Sequence, residues 1–564
     1  MIKMKTKIHY ITFLAAIFLT LNGFSQLNQE KVKQIDSLFA PWNTENHPGG
    51  TVLIYQKGET IFSRAYGLAS LEYNIPNTLN TRFNIGSLSK QFTAMGIVLL
   101  EEQNKLSFDD DIRQYIPELA PYDTTITIRH LLHHTSGIRD IHGLLGLAGW
   151  RPADLETNED VYRIFKNQTD LNFNPGDQLS YSNTGYIFLA KIIENVSGLT
   201  FEQWMKQNIF DPLGMKNTYV ETHHDRIVAN NATSYYQSDE FKRAIAYWGY
   251  FGSGNMHSTI EDLNIWLQNF STPKKEWASA FNTLLTRTPL NNGFKTPFGF
   301  GVRIEDYEGK KVIQHGGSVG GFRAIARVFP EEQLHIVMLS NYSRSGIGSK
   351  INSISNLLLD PRKDVQSKVG TNELTTPDFD FVRLPKKKLK TFEGIYWSDS
   401  EKSGRKIYVN NDTLRYSSSA ENEWALVPTD EHTFVMMHPS IKPVVTFDDN
   451  THQMTIKTGD DLPGVFTFLQ KDLETNMKDL SLFVGHYYSP ELKTTYSIFN
   501  EGDAIYIEHA RHGKMKLKQL YNTIFSTEEP IGILEMKKDK NNKVLGLTMS
   551  NGRTRNVWFK RVYF

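Results

Sequence analysis

The 564-residue sequence contains no cysteine. Thiol nucleophiles, disulfides, thiolate zinc sites and iron–sulfur clusters are excluded together. An excess of either charge is also missing: lysine plus arginine number 62, and aspartate plus glutamate number 62. A dedicated nucleic-acid binder carries a basic excess or a basic face, so no nucleic-acid partner is expected. Apolar runs of membrane-spanning length are absent beyond the N-terminus. What is present, 39% hydrophobic and 12% aromatic residues, suffices to build cores and excludes global disorder. At roughly 150 residues per domain the length allows three or four domains.

The N-terminus reads as an address. Lys3, Lys5 and Lys7 precede an apolar run from Ile8 to Leu21, and Gly23 and Ser25 supply small residues before Gln26. This is the order of a secretory signal peptide, here residues 1–25. The run is short for a span of about 20 residues. An uncleaved anchor is the competing reading of the same pattern. The expectation is a periplasmic or secreted protein without stable membrane insertion after cleavage.

Residues 26–362 mix two periodicities. Thr51 to Tyr55 and Thr60 to Ala65 read as strands around Lys57-Gly58. Leu88, Phe92, Met95 and Leu99 recur at helical spacing, and Ile128–His134, Tyr186–Val196, Phe201–Gln207 and Thr259–Phe270 also read as helices. Phe298–Ile304, Lys311–Gln314, Ala324–Phe329 and His335–Ser340 read as strands. Strands, then helices, then strands again imply an α+β fold: an antiparallel sheet whose strands come from both ends of the region, with helices packed on it.

Residues 363–388 are charged, contain proline and end in Pro385-Lys386-Lys387-Lys388, as a linker does. Two β-rich units follow, 389–472 and 480–564. Leu389, Phe392, Gly394 and Tyr396 recur 91 residues later as Leu480, Phe483, Gly485 and Tyr487. Each unit has room for about eight short strands, the pattern of two consecutive small barrels. The linker suggests that the copies fold apart from the first region.

Three short motifs carry chemistry. Ser87-Leu88-Ser89-Lys90 opens the apolar helix, placing an ammonium and a hydroxyl three residues apart on one face. A helix N-terminus there favours negative charge near Ser87 and helps depress the lysine pKa. Tyr181-Ser182-Asn183 lies at a loop leading into a helix, with a hydroxyl able to relay a proton and an amide able to bind a carbonyl. His315-Gly316-Gly317 ends an expected strand, where glycine lets a substrate lie against the edge. Each motif has an accidental copy: Ser403 to Lys406, Tyr408 to Asn410, and His47 to Gly49. A surface pair or a turn is the ordinary meaning of any single hit. Their order, and their positions at a helix start, a loop and a strand end, set the first three apart.

With these residues the chain resembles the β-lactamase-like, penicillin-recognising serine hydrolases. That group includes class C β-lactamases, D-alanyl-D-alanine carboxypeptidases, D-aminopeptidases and esterases. Thr81 to Gly86 resembles the family's lead-in to its serine. Leu131-Leu132-His133-His134-Thr135-Ser136-Gly137-Ile138 resembles its second signature, and Phe298 to Gly301 and Pro330 to Asn341 its closing strands. The resemblance covers residues 35–355. It implies Ser87 as acylated nucleophile, Lys90 as its base, and Tyr181 sharing the proton transfer. Asn183, His315 and Gly317 would bind substrate, and the backbone N–H groups of Ser87 and Ser318 would form the oxyanion hole. No cofactor or metal is implied. His133-His134 and His223-His224 invite a zinc reading, but neighbouring helical histidines point to different faces.

The activity implied is hydrolysis of an ester or amide, the substrate being a small molecule, a peptide or a cell-wall-derived acyl compound. Histidine stands at 315 where β-lactamases and penicillin-binding proteins usually carry lysine, and it is mostly neutral at pH 7. A β-lactamase and a non-catalytic binding protein on the same fold are the alternatives. Trp150, Arg151 and Tyr162 are expected to wall the pocket.

Overall fold

The computed structural model describes residues 27–563, apart from 224, 246, 360–378, 419–421, 439–441, 459–461, 471–479 and 522. The expected signal peptide, His224 and residues 363–378 of the expected linker lie outside the described residues. Among the described residues no helix is long and apolar enough to cross a membrane.

The first region is built on a six-stranded sheet. Its order is Arg303–Tyr307, Lys310–Val319, Phe322–Phe329, Leu334–Ser340, Gly50–Gln56 and Glu59–Tyr66. Every neighbour pair is antiparallel, and the first strand of the chain closes against the last of the region, with Gly50 opposite Ser340. Alternation along the central strands feeds two cores. Val52, Ile54, Ile336 and Met338 pack with Ile35, Phe39 and Ile351 on one face. Leu53, Val337 and Leu339 join the larger core on the other, around the helix Ser89–Glu102. That helix is buried on all sides from Ser89 to Val98, as its apolar composition requires.

Two local expectations are corrected. His315-Gly316-Gly317 does not end a strand but lies inside Lys310–Val319. Nor is Phe298–Ile304 a strand. The strand begins at Arg303, because Gly301 adopts φ +71° where a Cβ would come within 2.7 Å of the Lys90 carbonyl. The chain there turns against the helix that carries Lys90.

The C-terminal half holds the two β units. Eight strands from Gly394–Ser398 to Gly464–Gln470 form a closed barrel with its own core. The second unit has nine strands and is nearly closed, not eight as expected. The extra strand is a break in the fourth: Glu423–Pro428 of the first barrel corresponds, 91 residues on, to Gly513–Lys516 plus Lys518–Tyr521. The register survives the break. Leu426 pairs with Leu414 in the first barrel, and Leu517 donates its N–H to the Ile505 carbonyl in the second.

Folding of both copies apart from the first region does not describe the second barrel. Its interior residues, among them Tyr487, Tyr496 and Phe559, belong to the same apolar core as Leu144 and Leu147 of the helix Ile141–Leu147. At Gly143 a Cβ would sit 2.5 Å from Thr554 Oγ1, so this helix lies directly on the barrel. A charged linker says nothing about a surface that later docks.

The contact is sealed by Arg139, which is fully buried. It pairs with Glu491 at 2.6 Å, and donates to Gln168 Oε1 at 2.9 Å and to the Arg555 and Asn556 carbonyls at 2.9 and 3.1 Å. Removing one partner of such a pair leaves an uncompensated buried charge and costs about 3–5 kcal/mol. Glu491→Ala is therefore expected to lower the denaturant midpoint markedly. A midpoint equal to that of the unaltered chain contradicts this account of the interface.

Candidate active site

Four segments meet at Ser87. The serine lies in the short 3₁₀ turn Gly86–Leu88, just before the helix Ser89–Glu102 rather than within its first turn. Lys90, one turn on, is fully buried. Its Nζ reaches Ser87 Oγ at 3.2 Å, Asn183 Oδ1 at 2.9 Å and the Ser253 carbonyl at 2.7 Å. A neutral lysine has two N–H donors and one lone pair. As an ammonium, Nζ donates to all three oxygens; once neutral, it can keep the two carbonyl bonds and turn its lone pair to the Ser87 hydroxyl. Burial pushes the Lys90 pKa well below the ordinary lysine value; Asp140 opposes that shift and Arg553 assists it. The dominant cause is thus desolvation, not the helix terminus invoked from sequence.

Tyr181 comes from the loop before the helix Asn183–Ser197, for which Ser182 is the N-cap. Its pKa is raised mainly by burial, a rise that the nearby Ser87 hydroxyl partly offsets. Lys90 Nζ lies 4.9 Å from its ring centroid. A tyrosine so placed stays protonated, a state from which it can relay a proton. Asn183, expected to bind substrate, is engaged inside the protein. Besides accepting from Lys90, its Nδ2 donates to Asp140 Oδ2 at 3.2 Å, and its backbone N–H does so at 2.8 Å.

The strand Lys310–Val319 presses on the serine turn. Gly86 has φ +51°, and a Cβ on it would lie 2.7 Å from the Ser318 nitrogen. A Cβ on Gly317 would lie 1.9 Å from the Ile85 carbonyl and 3.2 Å from the Ser87 nitrogen. Glycine at 317 thus serves close backbone approach between strand and turn, which brings the nitrogens of Ser87 and Ser318 to the same edge. His315 is buried beside Tyr181, their ring centroids 6.2 Å apart, and its Nδ1 lies 2.7 Å from the Gly316 carbonyl. Burial lowers its pKa to about 4, so it is neutral at pH 7.

Three participants escaped the sequence reading. Asp140 N-caps the helix Ile141–Leu147 and fixes Asn183; its signal was an acidic residue just ahead of an apolar run. His134, whose second-signature position was noted, accepts from the Ser182 N–H at 3.1 Å and lies 4.2 Å from the Tyr181 ring centroid. Arg553 comes from the second barrel, and its guanidinium stands 5.3 Å from the centroid of the Tyr181 ring. Nothing local in the sequence marks it. Trp150 and Arg151 do line the large cleft beside the site, together with Ser318, Trp248 and Arg553. Tyr162, also expected to wall the pocket, does not line this cleft; its hydroxyl accepts from Asn158. Among the described residues no group of three His, Asp or Glu side chains is arranged to hold a metal ion.

The serine thus lies within reach of a buried lysine, with a buried tyrosine beside that lysine and the strand Lys310–Val319 packed against its turn. The chain belongs to the beta-lactamase family, whose sequence model matches residues 30–351. It is 30% identical over 335 residues to penicillin-binding protein 4* of Bacillus subtilis (strain 168), covering 56% of this chain and 73% of that protein. It is 26% identical over 298 residues to the D-aminopeptidase of Gluconobacter oxydans (strain 621H), covering 52% of this chain and 56% of that protein. The chain thus spans little more than half the length of that D-aminopeptidase. Among solved structures, the penicillin-binding protein from Bacillus halodurans matches with TM-score 0.50 and 26% identity over 57% of this chain and 98% of that one. The octameric penicillin-binding protein homologue from Pyrococcus abyssi shares the fold, with TM-score 0.52 and 21% identity over 77% of this chain and all of the other.

Proposed function

We propose that the protein hydrolyses an ester or amide through an acyl-enzyme on Ser87. Neutral Lys90 takes the serine proton as Oγ attacks the carbonyl carbon. The N–H groups of Ser87 and Ser318 hold the developing alkoxide. Tyr181 passes a proton to the departing oxygen or nitrogen as that bond breaks, and water then reverses the sequence to release the acid. The observation that carries this reading is the placement of Lys90: a fully buried Nζ, its pKa held well below the ordinary lysine value by that burial, stands 3.2 Å from Ser87 Oγ. The D-aminopeptidase and penicillin-binding relatives support an amide or peptide-like substrate.

A neutral His315 argues for the esterase and aminopeptidase side of the family over the β-lactamases, because that strand offers no permanent cation to a β-lactam carboxylate. The basic and apolar order of residues 3–25 supports export to the periplasm or medium. We expect a fluorophosphonate to label Ser87, and p-nitrophenyl acetate to turn over at least about 100-fold faster than nitrocefin at equal concentration, since one lost charge-assisted contact is worth about that factor. Nitrocefin turning over as fast as the ester reverses the choice of substrate class. Failure of the fluorophosphonate to label Ser87 removes the acyl-enzyme.

A further inference from the structure

Tyr181 ends a loop without helix or strand of its own, yet its ring stands in a fixed place beside Lys90 Nζ. The stretch from His134 to Gly137 supports that loop. The N–H groups of Asn172, Gly176 and Ser180 donate to the carbonyls of Gly137, Thr135 and His134, at 2.7, 2.8 and 2.9 Å. The loop is thus laid along this stretch up to the residue before Tyr181. At Gly137 φ is +72° and a Cβ would lie 2.0 Å from the Phe173 carbonyl oxygen, so the two backbones touch there.

His134 does more than its neighbours. Its carbonyl holds Ser180, and its ring Nδ1 accepts the N–H of Ser182 at 3.1 Å. Ser180 and Ser182 are the residues on either side of Tyr181. The imidazole also lies against the tyrosine ring, with centroids 4.2 Å apart and planes tilted by 32°. Tyr186 and Phe298 close round the imidazole at 5.1 and 5.2 Å. One residue therefore fixes Tyr181 from before, from behind and across its face. This arrangement needs a neutral imidazole, because a proton on Nδ1 would set two donors against each other. Burial keeps the ring neutral, assisted by Lys90, His315, His133 and Arg553.

His134 is held there at a local cost. Its φ of +60° is left-handed, uncommon for a residue other than glycine. Its Nε2 is buried and has no hydrogen-bond partner among the described residues. A left-handed backbone and an unpaired buried polar atom on one residue persist where the surroundings demand that residue. A hydrocarbon ring would fill the same space but would offer Ser182 no acceptor. We propose that His134 is a positioning residue that holds the hydroxyl of Tyr181 where it hands a proton to the leaving group. This rests on the relay assigned to Tyr181 above, and His134 acts only through that tyrosine.

The test compares two esters that form the same acyl-enzyme on the full chain, p-nitrophenyl acetate and ethyl acetate. p-Nitrophenolate departs without a proton and ethoxide needs one, so displacement of Tyr181 falls mainly on the second ester. His134→Gly suits the left-handed backbone and removes the ring. It should lower kcat/KM for ethyl acetate by about 100-fold, the cost of a misplacement of about 1 Å, and that for p-nitrophenyl acetate at least about tenfold less. His134→Asn also tolerates this backbone, and its amide oxygen lies as many bonds from the backbone as Nδ1. It should recover about tenfold of the loss on ethyl acetate. A hole in the packing would depress both esters alike, without rescue by asparagine. His134→Gln fills the space and carries its amide one bond too far for Ser182, so it makes the same comparison if circular dichroism shows the glycine chain unfolded. In a Tyr181→Phe chain, adding His134→Gly should cost no further activity on ethyl acetate. Equal losses on the two esters in a folded variant, no rescue by asparagine, or losses that multiply in the double variant overturn the proposal. Equal losses in Tyr181→Phe itself would refute the relay, and the double variant would still decide whether His134 acts through Tyr181.

Discussion

Ser87→Ala is expected to lower ester turnover by at least about 10,000-fold, the scale on which loss of a nucleophile removes the covalent route. Little stability should go with it. Ser87 lies in a 3₁₀ turn, and the adjoining helix has no side-chain cap hydrogen bond for the substitution to remove. The side chain lost is one hydroxyl, hydrogen-bonded to Lys90. Circular dichroism and the thermal midpoint should therefore match those of the unaltered chain. Retention of more than a few per cent of the turnover by a folded Ser87→Ala protein would refute the assignment of Ser87.

Lys90→Met is expected to reduce kcat/KM by about 100–10,000-fold, the usual contribution of a positioned general base. Methionine keeps the length of the buried side chain, so the core around it stays filled. A distinctive pH signature should accompany the loss. Burial holds the Lys90 pKa well below the ordinary lysine value. The base works in its neutral form, so kcat/KM of the unaltered chain should rise with pH as Lys90 sheds its proton, on a limb well below the ordinary lysine range, and then level off. His315, lowered to about 4, stays neutral across that limb and adds no second step near pH 6–7. In Lys90→Met the limb should vanish. Its persistence would show that another group is the base.

The match between motif and geometry is uneven for physical reasons. Ser87 and Lys90 lie one helical turn apart, so local backbone geometry alone brings them together, and a sequence reader has that geometry in hand. Tyr181 and Asn183 also reach the site, but the role of Asn183 depends on Asp140, whose side chain approaches from another helix. By its motif, Gly317 is a place for substrate to lie. The fold uses it to let the strand backbone touch the serine turn, a contact between segments more than 200 residues apart in the chain. The sequence points to a helix end as a cause of a depressed Lys90 pKa, because a helix end can be located from sequence. Burial dominates it, and only packing decides burial.

The second barrel shows the same division. An offset of 91 residues suffices to recognise a duplicated β unit, because the interior positions of both copies answer to one alternation of apolar side chains. The break at Leu517, which makes nine strands of eight, leaves that alternation intact and so leaves no trace in the pattern. Composition and periodicity by themselves determined the α+β sheet, the central apolar helix, the repeat and the serine–lysine pair, since each follows from contacts within a few residues or from a repeated period. Tertiary structure alone decided that the second barrel shares the core of the first region, that Arg139 and Glu491 are buried together, and that Arg553 stands over Tyr181. Those contacts join residues hundreds of positions apart, 352 for Arg139 and Glu491, and no local propensity or spacing rule reaches across such a separation.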